Sequence, residues 1–496
     1  MQGSHIVLLP KPTGGERPLG ILPTLYRVWC RCRRHVADQW ELSHQRHYFW
    51  AAKGRSSEQS VHQQGFLLEH ARATKKHSAA ILTDLAKACE YVDHGKLIAF
   101  AVQHGFPPAV LGPCLRVYSG PRRLVSAGMC TRWFRTGGQS IIAGCGMATT
   151  LLKVYMLRVF DTLSRYHPGI DLHTYVDDVD LASQKSDASQ AADVLAAAAR
   201  TLVLLLERAL LLKVAYYKCV VLASSPAVDK RLRERLEGTG LGLQEWGKKL
   251  GIQFSLQQRR RFALLRQRAL KARGRAWRVR MLQRAAGAKA RARLYNAGMH
   301  PVPLYGGSYW GFSNSSITEL RRQAILAVMP PARFRVPGLV FNLKVHGVFD
   351  PAVACNKMPI VGWARVVWSG NVALEVLSGV LEWAGERLLE HEHPWKLCNG
   401  PAQAYLLSLL RLGWTPKGAD TVVTDNGCSI NFRLVPPQIV RREVAAAVRR
   451  WEWRRISRTL QEPSLAAGGF VEGVQMLLRK GPCPTAPSAG GGGDSL

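Results

Sequence analysis

Short apolar runs that end at aspartates are the clearest feature of the first half of the chain. Residues 79–82 form an apolar run of the kind expected for a buried strand, and the run leads directly to Asp84. Two β-prone runs within residues 172–181 flank Asp177 and Asp178. This arrangement predicts a hairpin that carries both aspartates at its tip.

Helical periodicity separates these strands. Asp93 is an expected N-cap of a helix that runs through Val102, and an apolar helix pattern covers residues 149–160. A further helix is predicted over residues 188–212, and residues 214–223 after it are strand-like. The first half of the chain is therefore expected to mix short strands with long helices.

A shift in composition after Glu245 suggests domain boundaries. No acidic residue occurs between Glu245 and Glu319, and arginines and lysines are concentrated in the first half of that interval. The shift predicts a first region at 1–245, a basic helical region at 246–310, a C-terminal region of unknown role at 311–480 and a tail at 481–496. The tail is rich in Pro, Gly and Ser, and we expect it to be disordered.

The charge balance bears on the partner. Lysine and arginine outnumber aspartate and glutamate 68 to 34 in 496 residues, which gives a formal charge of +34. Self-repulsion of that size opposes compaction unless a polyanion neutralises it. Nucleic acid is the expected partner, and an anionic membrane surface is the competing interpretation.

The cysteines and the N-terminus bear on the compartment. Cys30 and Cys32 are the only close pair among eleven cysteines, which argues against a zinc finger and against a secreted disulfide scaffold. The N-terminus lacks the pattern of a signal peptide. Charged residues interrupt the most apolar region, 194–217, so we expect a core helix and a strand there rather than a membrane span. An intracellular, nuclear location without a membrane partner follows as the expectation.

The three aspartates are candidates for a metal site. Joining a nucleotide to a 3′ hydroxyl requires two metal ions about 3.5–4 Å apart, held by carboxylates. Mg²⁺ prefers such hard oxygen ligands. Asp84, Asp177 and Asp178 have the required arrangement if their two segments are neighbours in one sheet. Adjacent aspartates are more often a solvated turn, so the pair alone leaves that alternative open.

Six motifs follow one another in the first 255 residues: IVLLPKPTGGERPLGILPTLYRVWCR (6–31), ILTDLAKACEYV (81–92), IIAGCGMATTLLK (141–153), YVDD (175–178), LKVAYYKCVVLAS (212–224) and KKLGIQFS (248–255). Their order and amino-acid sequences resemble those of the motifs in reverse transcriptases of non-LTR (LINE-type) retrotransposons. The resemblance implies a right-hand polymerase of the α/β (α+β) class. Fingers and palm (an antiparallel sheet plus helices) would occupy 1–245 and a helical thumb 246–310, followed by a mixed C-terminal region.

That resemblance also implies an activity and a metal site. The chain is expected to be an RNA-directed DNA polymerase that uses an RNA template, a DNA primer and dNTPs. Asp84 and Asp177 would bind two Mg²⁺ ions, for which Mn²⁺ can substitute. Asp178 would assist, and the backbone carbonyl of Leu85 would complete the shell of one ion.

The substrate residues implied by the resemblance include two departures from the family pattern. Lys11 and Arg17 match cations that hold the incoming triphosphate, and Lys218 matches a lysine near the leaving pyrophosphate. Cys89 stands where the family carries an aromatic residue that excludes ribonucleotides. The substrate motif keeps Gly144 but reads Ala-Gly-Cys-Gly-Met-Ala instead of Gln-Gly-x-Pro-x-Ser. These departures leave nucleotide selectivity and turnover open.

The basic region falls where the family has its thumb. Arg266, Lys271, Arg275 and Arg278 are the candidate contacts to the template–primer backbone. Apolar residues are interleaved with these cations at spacings that predict helices with one apolar face, namely Leu264, Leu265, Leu270, Trp277, Met281 and Leu282. A solvated charged surface is the simpler alternative, although no acidic residue balances it.

Four other functions compete with the polymerase. A catalytically decayed, nucleic-acid-binding relic of the same fold would keep the basic region and lose synthesis. An RNA-dependent RNA polymerase would use NTPs, and a group II intron maturase would add splicing functions. A basic membrane-surface protein is the last alternative. Oligomeric state does not follow from the sequence.

Overall fold

The computed structural model describes residues 3–11, 14–258, 260, 263–329, 337–343 and 348–460. The chain divides into two units, Met1–Arg261 and Phe262–Leu496. The tail expected to be disordered at 481–496 lies outside the described residues.

The first unit contains thirteen strands within the described residues: β1 (Ser4–Pro10), β2 (Glu16–Ile21), β3 (His77–Thr83), β4 (Leu85–Ala86), β5 (Arg122–Ser126), β6 (Met129–Cys130), β7 (Asp171–Tyr175), β8 (Asp178–Lys185), β9 (Lys213–Val214), β10 (Val220–Ala223), β11 (Gly242–Leu243), β12 (Gly247–Lys249) and β13 (Ile252–Phe254). Its helices are α1 (Thr24–Ser43), α2 (Ser57–Ala73), α3 (Ala88–Tyr91), α4 (His94–Gln103), α5 (Pro108–Tyr118), α6 (Ala148–Tyr166), α7 (Ala188–Leu204) and α8 (Pro226–Leu236).

Two sheets organise these elements. The smaller has the strand order β2-β1-β5-β6, and the larger has the order β11-β10-β3-β8-β7. Strand β3 lies in the middle of the larger sheet, between the antiparallel strands β8 and β10. Helices α2 and α7 pack against it, and residues 78–83 are all buried. A strand covered by helices in this way requires the continuous apolar run seen in the sequence.

The caps predicted for two helices are confirmed. The Asp93 side chain accepts a hydrogen bond from the backbone N–H of Lys96, and helix α4 extends to Gln103. The Asp187 side chain caps α7 in the same way, through the backbone N–H of Gln190. Helix α7 then widens into a π turn at Leu205–Ala209, so the α-helix is shorter than the pattern predicted.

The single strand predicted over residues 214–223 is wrong. Strand β9 ends at Val214, a 3₁₀ turn covers Tyr216–Lys218, and β10 begins at Val220. The backbone N–H of Ala215 donates to the carbonyl of Asp84 at 2.9 Å, which ends the short β4–β9 ladder and redirects the chain. The turn therefore forms where the chain leaves the β4–β9 ladder and enters β10 of the larger sheet.

One apolar helix is long enough to be considered as a membrane span. The segment Ala188–Ala209 is long and apolar enough to cross a membrane, judged by length and composition alone, and 44% of its apolar stretch is buried within the protein. Its side chains Leu195, Leu202 and Leu206 are fully or almost fully buried, and α7 packs against β3, β8 and α8. These contacts are those of a helix in a protein core, as the sequence predicted for this segment.

The second unit is mainly helical. Its helices are α9 (Ala263–Met281), α10 (Ala288–Leu294), α11 (Pro301–Leu304), α12 (Gly307–Trp310), α13 (Asn314–Val328), α14 (Pro337–Leu343), α15 (Pro351–Ser369), α16 (Leu374–Leu389), α17 (Pro394–Leu397), α18 (Pro401–Leu412) and α19 (Pro437–Leu460). Three short strands, β14 (Thr415–Pro416), β15 (Thr421–Val423) and β16 (Ser429–Asn431), form one antiparallel sheet.

A buried arginine connects two parts of this helical unit. The Arg321 side chain is 2% exposed, and its Nε donates to Asp350 at 2.8 Å. Its Nη1 lies 2.6 Å from a carboxylate oxygen of Glu452, whose side chain is 1% exposed. Because buried charges are costly unless they are paired, this cluster is a sensitive point of the unit.

Candidate active site

Strand pairing brings Asp84 beside the Asp177–Asp178 hairpin. In the antiparallel register of β3 and β8, Thr83 is opposite Val179. Asp84 follows Thr83, and Asp178 precedes Val179, so continuation of the register sets Asp84 opposite Asp178. The predicted juxtaposition of the two segments is thus present, and it arises from pairing across about ninety residues of sequence.

The hairpin tip has a strained backbone. Tyr175 pairs with Asp178, so the loop consists of Val176 and Asp177, and Asp178 is already the first residue of β8. Val176 has φ of +61°, whereas Asp177 is not among the positive-φ residues. This is the pattern of a type II′ turn, in which glycine is usual at the first position. A β-branched residue with positive φ is an outlier of the kind found at functional sites.

The three carboxylates affect one another electrostatically. Burial, followed by the neighbouring charges of Asp177, Asp180 and Asp84, raises the pKa of Asp178 to about 7, against a lowering effect of Lys249. Partial desolvation of the carboxyl and the charge of Asp84 also raise the pKa of Asp177. These carboxyl groups are therefore close enough to disfavour simultaneous ionisation in the absence of a cation.

The carboxylates do not form a ready-made ligand set. Within the described ranges, no group of three or more His, Cys, Asp and Glu side chains is arranged to hold a metal ion. Leu85 and Val214 form a non-hydrogen-bonded pair between β4 and β9. The carbonyl of Leu85 consequently points away from strand β9.

Two of the three predicted substrate cations lie within electrostatic reach of the aspartates. The Lys218 Nζ is 3.4 Å from a carboxylate oxygen of Asp84, and Arg17 lowers the pKa of Asp177 through its charge. Lys218 lies in the 3₁₀ turn rather than in a strand, which corrects the predicted strand lysine. Lys11 is exposed in the β1–β2 turn, and its backbone N–H donates to the carbonyl of Gly15.

Two motifs that depart from the family pattern contain Cys89, which replaces the aromatic residue, and Gly144, which is retained. Asp177 is one of the charges that act on Cys89, whose thiol pKa is raised to about 12, mainly by burial. Gly144 has φ of +103°, and a Cβ there would lie 3.0 Å from the carbonyl oxygen of Gly20. The Gly20 N–H also donates to the carbonyl of Ala143 at 2.8 Å. The loop containing Gly144 is therefore held closely against strand β2.

An open cleft adjoins these residues on the side of the smaller sheet. It encloses about 1680 Å³, open solvent included. The side chains that line it include the cations Lys11, Lys87, Arg122 and Arg135 and the acids Glu16 and Glu90. Positive groups predominate, which suits a ligand that carries phosphates.

One buried cation near the aspartates was not predicted. The Lys249 side chain is 1% exposed, and its Nζ contacts carboxylate oxygen Oδ2 of Asp180 and side-chain oxygen Oε1 of Gln64. No local pattern identifies this ion pair, because its partners come from three distant segments, α2, β8 and β12.

The basic region forms helices, but its predicted apolar face is wrong. In α9 the buried residues are Ala272 and Ala276, whereas Leu270, Trp277 and Met281 are 67%, 56% and 63% exposed. The small alanines allow α9 to pack closely against α13, so the large apolar side chains face outwards. The predicted nucleic-acid contacts Arg266, Lys271, Arg275 and Arg278 are all exposed.

Comparisons with known proteins give two telomerases among the similar solved structures. No protein-family model matches the chain, and no curated protein matches it. The chain is similar to apo telomerase from Candida tropicalis truncated from its C-terminal domain, with 13% identity, a TM-score of 0.36 and coverage of 51% of this chain and 53% of that one. It is also similar to telomerase from Candida albicans in complex with a TWJ fragment of telomeric RNA, with 10% identity, a TM-score of 0.40 and coverage of 79% and 65%. At these scores the function has to be argued from the site itself.

Proposed function

We propose that the chain is a reverse transcriptase that extends a DNA primer on an RNA template from dNTPs. The observation that carries the proposal is the meeting of Asp84 with the Asp177–Asp178 hairpin, next to Lys218 and Arg17. Nucleotidyl transfer requires carboxylates for metal ions and cations for phosphates at one place. The site supplies both kinds of group.

The donor set is suitable for two Mg²⁺ ions, for which Mn²⁺ can substitute. We expect Asp84 and Asp177 to bind both ions, with Asp178 and the carbonyl of Leu85 as further ligands. All of these are hard oxygen donors. Besides burial, the charge of Asp84 raises the pKa of Asp177 and of Asp178, which supports a cation between them, because a cation would relieve this repulsion. When bound, the ions activate the primer hydroxyl and stabilise the leaving pyrophosphate.

The cations of the site would bind the triphosphate. Arg17 offers a planar fork to phosphate oxygens, and Lys11 offers a mobile point charge from the adjacent turn. Lys218 would exchange its contact with Asp84 for the pyrophosphate oxygens once metal ions neutralise that carboxylate. Cys89 is smaller than the aromatic residue of the family, so we expect weak exclusion of the 2′ hydroxyl of an NTP.

Helix α9 is suited to bind the template–primer duplex. Its exposed face carries an apolar ridge at helical spacing, formed by Leu270, Gly274, Trp277 and Met281. By the same periodicity, a row of cations lies on each side of the ridge: Arg266, Arg273 and Arg280 on one side, and Lys271, Arg275 and Arg278 on the other. A ridge between two cationic rows suits a groove with a phosphate backbone on each side.

A LINE-type retrotransposon origin is the finer part of the proposal. It rests on the order and the amino-acid sequences of the six motifs in the first 255 residues. The decayed relic remains the alternative function, and Cys89 and the altered residues around Gly144 are the observations that favour it.

The test is primer extension on an RNA template with purified protein, Mg²⁺ and dNTPs. We expect the wild type to extend the primer and Asp177→Asn to lose extension, because that substitution removes a metal-binding charge. Asp229→Asn is the matched control, since Asp229 pairs only with Arg233 on helix α8 in the described structure and is not part of the site.

The outcomes separate the alternatives. Equal extension by the wild type and Asp177→Asn would refute the site. Salt-sensitive binding of the duplex without extension by the wild type would favour the relic. Extension with NTPs in preference to dNTPs would favour an RNA polymerase instead.

A further inference from the structure

Lys249 is a buried cation to which the proposed reaction assigns no function. It lies on β12, whose only exposed residue is its neighbour Lys248. The Lys249 Nζ contacts carboxylate oxygen Oδ2 of Asp180 and Oε1 of Gln64. The lysine thereby connects the β12–β13 hairpin, helix α2 and strand β8.

Asp180 links this ion pair to the proposed metal site. Asp180 and Asp178 are two residues apart on β8, and side chains two apart on a strand lie on the same face. Asp180 is opposite Leu82 of β3 and His173 of β7, so it lies on an interior strand of the sheet. Its side chain is 8% exposed.

The charge of Lys249 extends beyond its direct partner. Asp171 and Asp178 also lie within electrostatic reach of the ammonium group. This end of the sheet therefore has several carboxylates, and Lys249 is the buried cation that faces them from β12 in the described structure. A carboxylate as buried as Asp180 requires such a partner.

We propose that Lys249 is a positioning residue that fixes strand β8, and so the carboxylates of the Asp177–Asp178 hairpin, for metal binding. The inference rests on the proposed function and extends it, because it makes the β12–β13 hairpin a support of the metal site. Groups behind metal ligands typically change metal affinity roughly 10- to 100-fold when they are lost.

The test uses a double substitution, Lys249→Met with Asp180→Leu. Removal of both charges avoids a buried unpaired ion, and apolar replacement of a buried pair is often neutral for stability. Mn²⁺ binding is measured by electron paramagnetic resonance, together with the midpoint of thermal unfolding and the kcat and KM for dNTP in primer extension. Lys248→Met is the matched control on the same strand.

We expect the double variant to fold with a midpoint near that of the wild type and to bind Mn²⁺ roughly tenfold more weakly. The kcat should fall while the KM for dNTP changes little, because the triphosphate contacts are elsewhere. Lys248→Met should behave as the wild type. The charge-swapped variant, Lys249→Asp with Asp180→Lys, should recover part of the lost Mn²⁺ affinity if it folds.

Two negative results have different meanings. If the double variant binds Mn²⁺ and extends primers as the wild type does, Lys249 is only a structural residue and the inference is overturned. If the wild type and Asp177→Asn bind Mn²⁺ equally, the proposed metal site itself is refuted, and the inference is refuted with it.

Discussion

Replacement of Gly144 by alanine tests whether the loop before α6 must lie against strand β2. Gly144 has φ of +103°, a conformation that costs a residue with a side chain about 1–3 kcal/mol. The new methyl group would also lie 3.0 Å from the Gly20 carbonyl oxygen and 3.2 Å from Leu19 Cδ1. Strand pairing with β1 restrains β2, so crowding adds about 1–3 kcal/mol. We expect a loss of about 2–6 kcal/mol in the free energy of unfolding.

Gly146→Ala is the matched control for this substitution. Gly146 lies in the same loop without a positive φ, and its nearest contact would be 3.4 Å, to Cys30 Cβ. We expect it to cost less than about 1 kcal/mol. Urea unfolding measures the stability, and hydrogen exchange of the peptide that contains Gly20 reports the local contact, because its N–H donates to Ala143. Equal costs for the two variants, or unchanged exchange in Gly144→Ala, would refute the close packing of loop and strand.

Four further predictions follow from the same structure. Arg321→Met removes the cation that joins Asp350 to the buried Glu452 and leaves Glu452 with Arg455 alone among the described residues, so denaturant unfolding should show a loss of about 3 kcal/mol; a loss below about 1 kcal/mol would contradict the buried pairing. Cys89→Phe should lower NTP insertion relative to dNTP insertion roughly tenfold in single-nucleotide assays, and an unchanged ratio would exclude Cys89 as a selectivity position. Arg278→Ala should reduce the slope of log affinity against log salt for duplex by about 0.9, whereas an unchanged slope would remove this phosphate contact. Burial raises the pKa of Asp161, but its hydrogen bonds with Arg46 and a tyrosine outweigh this effect and lower the pKa. The free energy of unfolding of the wild type should therefore exceed that of Asp161→Asn by its full amount above about pH 5, and this difference should decline as the pH falls below about 3.9. A difference that stays constant down to acid pH would contradict the lowered pKa of Asp161.

Local pattern was sufficient for the elements that carry the aspartates. The apolar run 79–82 is the centre of strand β3, and the β-prone runs around Asp177 form the hairpin strands β7 and β8. The caps Asp93 and Asp187 were predictable for the same reason, because each bonds to a backbone N–H three residues ahead. Short-range hydrogen bonding and two-residue alternation are properties of sequence neighbours.

Features that depend on distant partners were not predictable. The turn that contains Lys218 forms where β4 and β9 meet, and the Lys249–Asp180 pair joins strands about seventy residues apart. In α9 the periodicity did not indicate which side of the helix is buried. Packing against α13 selected the alanine face for burial, and Leu270 and Trp277 were left outside.

The energetics of the acidic cluster favour the polymerase over the decayed relic. Asp84, Asp177, Asp178 and Asp180 lie close together in one sheet, where burial and the neighbouring carboxylates disfavour the ionised forms of Asp177 and Asp178 and so oppose folding. Substitution of any of the first three by a neutral residue would relieve part of that cost. A chain that only bound nucleic acid would gain stability from such changes without loss of its basic helix. The strained Val176 turn has the same character, since glycine there would remove an unfavourable backbone conformation. Costs of this kind are expected where function opposes stability, and the proposed metal binding would offset them here.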